Sequence, residues 1–243
     1  MDLSNVRAVL FDLDGTLYYQ LPLRILMGLE LGTLPVNLGS MKKTRSVLQT
    51  IKQFRSIRED LRHLGNPSDL LDELQYRQAA AAVGREATEV KRIVCEWMYH
   101  RPLKYLKWCR RKGAATFFAE AQRRGMKLGV FSDYPAQEKL KALGLDSYVQ
   151  LVLCSTDKEI NAFKPHPRGY LRACEEWGLQ PQEVLYVGDR PEVDAKGAKA
   201  AGMPCMIVGG LLDHKPEKSN QTEKITSFRG LQQLLSIFLA FLW

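Results

Sequence analysis

Arg7 to Tyr18 read RAVLFDLDGTLY, an apolar run of β type that ends in two carboxylates, Asp12 and Asp14, followed by a glycine. Short apolar runs without polar alternation are what a strand buried on both faces requires. Four more follow: Leu128 to Ser132 (LGVFS), Val149 to Cys154 (VQLVLC), Val184 to Gly188 (VLYVG) and Met206 to Val208. Between them lie helical patterns at Ala114–Arg124, Ala136–Leu143, Pro167–Trp177 and Asp194–Ala201, with Gly125, Gly144, Gly178 and Gly202 placed just past them as helix stops. Strand alternating with helix predicts an α/β class: a Rossmann-like parallel sheet with helices on both faces.

The stretch after the first strand reads differently. Met41 to Leu64 places Val47, Leu48, Ile51, Phe54, Ile57, Leu61 and Leu64 at helical spacing and stops at Gly65. Asp69–Val83 and Ala87–Met98 read as two further helices. The expected organisation is therefore a core of residues 1–17 and 113–243, with an all-helical cap inserted at 18–112. Phe54, Trp97 and Trp108 are read as cap core. The apolar Leu231–Trp243 is read as a last helix packed on the sheet.

Composition narrows the functional classes. Hydrophobic residues are 45% and charged residues 26% of the 243, which excludes disordered and fibrous architectures. No run of about 18 apolar residues exists, so no spanning helix is expected. Met1–Arg7 does not read as a signal peptide. The five cysteines (Cys95, Cys109, Cys154, Cys174, Cys205) are scattered, which predicts neither a disulfide framework nor a zinc ribbon, and a cytoplasmic location. The net charge of +8 is unevenly placed: residues 18–113 hold 18 of the 35 Lys and Arg but only 9 of the 27 Asp and Glu. Within them the basic run Arg101, Lys104, Lys107, Arg110, Arg111, Lys112 is read as a solvated face, and nucleic acid is not expected as a partner.

Parallel sheets deliver functional groups at the carboxyl ends of their strands. Those ends offer Asp12 and Asp14, then Ser132 and Asp133, then Lys164, then Asp189 with Asp194 close behind. Several carboxylates in one crevice demand a neutralising cation, and hard oxygen donors favour Mg2+ over zinc.

FDLDGTLY (Phe11–Tyr18), VFSD (Val130–Asp133), the lysine of FKPHP (Phe163–Pro167) and GDRPEVD (Gly188–Asp194) resemble, in order, the four motifs of the haloacid dehalogenase-like superfamily. The helical insertion is similar to the α-helical cap of its phosphoglycolate-phosphatase-like branch. That resemblance implies Asp12 as nucleophile, Asp14 as acid–base group, and Lys164 as catalytic cation. It implies Ser132, Asp133 and Lys164 as substrate contacts, and Mg2+ held by Asp12, the Asp14 carbonyl and Asp189. Thr16 and Asp194 would support the site from behind. The implied activity is hydrolysis of a small cytosolic phosphomonoester, a phosphorylated metabolite, through an aspartyl-phosphate. A sugar phosphomutase on the same chemistry stays open as an alternative, as does a catalytically weak binding protein using its basic cap. A homo-oligomer through the apolar cap segment Leu21–Leu34 or the C-terminal surface is a further expectation. Asn161 stands where relatives often carry glycine, and is among the few other residues that accept positive φ.

Overall fold

The computed structural model describes residues 3–38, 41–209 and 223–225. Its six-stranded parallel sheet has the order β3-β2-β1-β4-β5-β6. The strands are β1 (Ala8–Phe11), β2 (Lys127–Ser132), β3 (Leu151–Cys154), β4 (Val184–Gly188), β5 (Cys205–Val208) and β6 (Glu223–Ile225). In the central strand β1, Val9 and Phe11 point into one apolar layer with Phe117, Phe118, Val130 and Val187. Ala8 and Leu10 point into the other, with Phe131, Tyr170 and Tyr186. Burial on both faces is why these strands read as unbroken apolar runs, each large side chain contributing about 1.5–3 kcal/mol on leaving water. The five expected strands are all present. β6 is an addition: two of the three residues of Glu-Lys-Ile are charged, so the segment lacks the apolar signal in the sequence.

Helices α6 (Ala114–Arg123), α7 (Gln137–Leu143), α8 (Arg168–Trp177) and α9 (Lys196–Ala201) connect the strands. Between β1 and β2 every described element is helical: α1 (Gln20–Leu38), α2 (Met41–Leu61), α3 (Leu71–Val83), α4 (Ala87–Val94) and α5 (Leu103–Cys109). This insertion has a small core of its own in Phe54, Tyr76, Ala79, Ala80, Val90 and Val94. It enters and leaves through one antiparallel bridge, Tyr18 opposite Arg110. Tyr19 N–H donates to the Cys109 carbonyl (2.9 Å) and Arg111 N–H to that of Leu17 (3.0 Å) beside it.

Several details differ from the sequence reading. Phe54 and Trp97 are buried, but Trp108 is 75% exposed, because α5 turns Leu106 and Cys109 inward and leaves Lys104, Lys107 and Trp108 outside. Leu48 on α2 and Leu64 in the short turn after it are exposed, whereas Arg58, charged and on α2, is 2% exposed. Its guanidinium lies between the rings of Tyr134 (4.1 Å) and Phe163 (4.2 Å) and donates to Gln75 Oε1 and the Asp133 carbonyl. Stacking and hydrogen bonding together satisfy a charge that periodicity alone would assign to solvent. The basic run is not one solvated face either. Arg101 and Lys104 pair with Glu30, Arg110 donates to the Leu143 carbonyl, and Arg111 is buried. The C-terminal run Leu231–Trp243 lies outside the described residues.

Candidate active site

From β1 the chain runs to β2 and β3 on one side, then crosses to β4 on the other, so the sheet changes direction between β1 and β4. The crevice at such a switch point is where parallel sheets bind ligands. Asp12 follows β1 directly and still donates its N–H to Val187 in β4 (2.8 Å). Asp189 follows β4.

Asp12 is 6% exposed. Its Oδ1 accepts from Lys164 Nζ (2.6 Å) and its Oδ2 from the Thr16 hydroxyl (3.0 Å). Burial is the main cause that pushes its carboxyl well above the usual range; Asp194 and Asp189 add to it, and Lys164 opposes it. Lys164 Nζ also donates to Asp194 Oδ1 (2.9 Å) and the Tyr186 hydroxyl (3.0 Å). Asp194 Oδ2 in turn accepts the backbone N–H of Asp189 (3.1 Å) and of Arg190 (3.0 Å), fixing the loop after β4.

Ligand oxygens of Asp12, Asp189 and Asp194 all lie within 4.8 Å of one another. The carboxyl of Asp189 is pushed up to about 7, first by burial and then by the charge of Asp194. It accepts no hydrogen bond from the described residues. A Cβ placed on Gly15 (φ 105°) would fall 2.1 Å from Asp189 Oδ2, so only glycine leaves this carboxylate its place. An all-oxygen cluster with one oxygen pair unused by the protein and surplus negative charge fits a hard divalent cation. Asp14 sends no carboxylate oxygen into the cluster, and its carbonyl accepts from Gln20 Nε2 (2.5 Å).

Ser132 is buried at the end of β2; its Oγ accepts the N–H of Tyr134 (3.2 Å), which leaves the hydroxyl proton to be donated. Asp133 is engaged by the protein: its Oδ2 accepts from Arg62 Nη1 (2.6 Å), and its Oδ1 accepts from the Ser155 hydroxyl (2.5 Å) and Lys164 N–H (3.3 Å). Arg62 Nη1 also reaches the Lys164 carbonyl (2.7 Å). Burial works against the ionised form of Asp133, but Arg62, Lys164, Arg58 and Ser155 outweigh it and hold the carboxyl well below the usual range. Stability from a depressed carboxyl is present above its unfolded value of about 3.9 and is lost as pH falls below it. Asp133→Asn is thus expected to cost about 3 kcal/mol at pH 7, by taking from Arg62 the buried one of its two carboxylate partners and leaving it only the more exposed Glu59. Chemical unfolding at pH 7 and below pH 4 checks this: the gap between the two proteins narrows in acid.

Asn161 takes φ 44°, the left-handed conformation its side chain tolerates. Its amide ties the core loop to the insertion: Oδ1 accepts Leu71 N–H (2.7 Å), and Nδ2 donates to the carbonyls of Pro67 (3.0 Å) and Asp69 (3.1 Å).

Of the other residues about Asp14 and its turn, Tyr18 lies within the first motif, whereas Lys139 and Arg111 carry no mark as site residues in the sequence. Lys139 Nζ, from α7, lies 2.6 Å from Asp14 Oδ1 and 2.9 Å from Oδ2, and the Tyr18 hydroxyl donates to Oδ1. Arg111 grips the Gly15 carbonyl through Nη2 (2.7 Å) and Nε (3.2 Å). In sequence Lys139 is one of two alternate lysines in a helix and Arg111 one cation in a basic run, so only their burial marks them.

The family model of the haloacid dehalogenase-like hydrolases matches residues 6–202. A phosphoserine phosphatase of Thermus thermophilus is 38% identical over 110 residues, 44% of this chain and 43% of that protein. A glyceraldehyde 3-phosphate phosphatase of Methanopyrus kandleri is 28% identical over 227 residues, 88% of this chain and 90% of its own length. The crystal structure of a HAD phosphatase from Thermococcus onnurineus, 24% identical, superposes with a TM-score of 0.64 over 95% of this chain and 98% of its own. These relatives are phosphatases, in agreement with the expected class of phosphoric monoester hydrolase. With its four motifs gathered at the switch point of such a sheet, the chain belongs to the haloacid dehalogenase-like hydrolase family.

Proposed function

We propose that the chain is a Mg2+-dependent phosphatase that hydrolyses a small cytosolic phosphomonoester through an aspartyl-phosphate on Asp12. The reading is carried by the placement of Asp12 between a buried ammonium, Lys164 Nζ at 2.6 Å, and two further carboxylates. A nucleophilic carboxylate must approach a phosphate dianion, and that repulsion is large in a poorly solvated site. Lys164 offsets part of it from one side. A magnesium ion held by Asp12, Asp189 and the Asp14 carbonyl would supply the remaining positive charge. Asp194 holds Lys164 and the Asp189 loop in place.

In the first step an Asp12 oxygen attacks phosphorus and the bond to the ester oxygen breaks. Its electron pair stays on that oxygen, which takes a proton from Asp14, and the alcohol leaves. In the second step a water gives a proton to Asp14 as its oxygen attacks phosphorus. The bond to Asp12 breaks, and orthophosphate leaves with Asp12 and Asp14 restored. Ser132 donates its hydroxyl proton to a phosphoryl oxygen. Asp133, an acceptor like phosphate itself, contributes by fixing Lys164 N–H and the loop after β2.

The division into a core (1–17 and 113–243) and a cap (18–112) belongs to the same proposal, with closure of the helices excluding water from the first step. Phosphoserine and glyceraldehyde 3-phosphate, named for the two relatives, are both three-carbon phosphomonoesters, which supports a substrate of that size. Among the described residues no helix is long and apolar enough to cross a membrane. Leu21, Ile25 and Leu29 form an exposed stripe on α1, the surface on which self-association of the cap would rest.

Phosphate release across a panel of phosphorylated metabolites, phosphoglycolate included, tests the reading. Chelation is expected to abolish release and added Mg2+ to restore it. Mg2+ should also raise the thermal midpoint of the wild type but not of Asp189→Asn. An isomerised sugar phosphate formed without free phosphate would instead place the chain among mutases.

A further inference from the structure

The carboxylate of Asp14 is held by Lys139, which lies outside the four motifs, and by Tyr18, the last residue of the first. Lys139 reaches both of its oxygens (2.6 and 2.9 Å), and Tyr18 donates to the first. Lys139 is 6% exposed, and its Nζ faces the Tyr134 ring at 5.4 Å. Burying an ammonium is costly unless it is paired, so a lysine turned inward from an otherwise amphipathic helix needs a partner, and that partner is Asp14. A two-oxygen contact fixes the direction of the carboxylate, as a single hydrogen bond to a freely rotating side chain does not. Lys139 stands on α7 of the core, so this grip does not depend on the helical insertion.

Resting on the phosphatase reading above, we infer that Lys139 is a positioning residue for the second half-reaction: it holds Asp14 as the carboxylate that takes the proton from the attacking water. Asp14 meets the water in the hydrolysis of the aspartyl-phosphate, whereas formation of that intermediate from p-nitrophenyl phosphate releases nitrophenolate, a leaving group that departs without a proton. Loss of Lys139 therefore slows the second step and spares the first with this substrate.

The test is stopped-flow turnover of p-nitrophenyl phosphate by Lys139→Met in Mg2+ buffer, with acid-quenched labelling of the protein by radioactive phosphate. The expected result is a nitrophenolate burst of about one per active site at a rate within about threefold of the wild-type first turnover. Steady-state turnover falls about 100-fold and labelled phosphoenzyme accumulates, a loss within the range for one acid–base group. Lys139→Arg, which keeps a cation at that position, is expected to recover about tenfold of the lost turnover. Burst and steady state falling together, with no label, would overturn the inference, since a merely structural lysine slows both. Unchanged turnover in Lys139→Met would overturn it as well. Asp14→Asn separates this from the underlying reading. A burst without turnover in Asp14→Asn but not in Lys139→Met removes Lys139 alone; no burst in Asp14→Asn removes Asp14 as the base, and the inference with it. Thermal midpoints of all variants within a few degrees of wild type show that the comparison is between folded proteins.

Discussion

Asp12→Asn is expected to lower phosphate release by at least about 10⁴-fold and to leave the fold standing, the scale seen when a covalent nucleophile is removed. The amide is nearly isosteric. Its oxygen can keep the bond from Lys164, and its nitrogen can donate to the Thr16 hydroxyl, which already lies 3.0 Å away. No nucleophilic oxygen anion remains, so no phosphoenzyme forms. Stability is expected to hold or rise slightly, because burial and the neighbouring Asp194 and Asp189 oppose the charge that the substitution removes. Beryllofluoride soaking and phosphate release, read beside the thermal midpoint, check both halves. Release retained within tenfold of wild type would show that another group receives the phosphoryl.

The second large effect is on stability. Lys164 is 2% exposed and is shared by Asp12, 6% exposed, and Asp194, 1% exposed. Burial opposes its charge, but Asp12, Asp194 and Asp133 more than compensate, so its ammonium is held well above the usual lysine range. Stability from a raised lysine is fully present below the unfolded value of about 10.4 and is lost only as pH rises through the higher folded value. At pH 7 it is intact. Lys164→Met leaves two buried carboxylates facing each other without a counter-charge, a loss of about 3–5 kcal/mol. For a chain of this size that lowers the midpoint by about 10 °C. Activity disappears with it. The deficit should shrink as pH falls from 7 to 5: the Asp12 carboxyl, raised already, rises further without Lys164 and takes up a proton in the folded state. A deficit below 1 kcal/mol, or one independent of pH, would show that these carboxylates do not rely on the ammonium.

The sheet and the four motif segments were legible because each signal is local. β1, β2, β4 and β5 are apolar on both faces, and a strand buried on both sides has no other way to read. Asp12, Asp14 and Asp189 stand directly at strand ends, so finding the strand finds the carboxylate. Thr16 and Asp194, which brace Asp12, Lys164 and the Asp189 loop, lie within the same motifs; what escapes is the set of cations drawn in from elsewhere in the chain. Lys139 meets Asp14 across 125 residues of chain and Arg111 meets Gly15 across 96, with no feature of composition to separate them from solvent-facing cations. Arg58 was hidden for the opposite reason: a charge inside an apolar helical stripe looks like the stripe's edge until two rings and a carbonyl are seen to receive it. Trp108 misled because a tryptophan beside Leu106 and Cys109 reads as core, while the turn of α5 carries it outside.

The bridge of Tyr18 to Arg110 brings the two ends of a long helical excursion within one strand spacing, about 5 Å. A junction so narrow behaves as a graft point. Any module whose own ends meet at that separation can be spliced there without altering the register of β1 against its neighbours or moving Asp12, the general reason that insertions succeed where termini lie close. Recombination can thus trade the helices wholesale, so that an old reaction is inherited intact while the surface around it is drawn afresh.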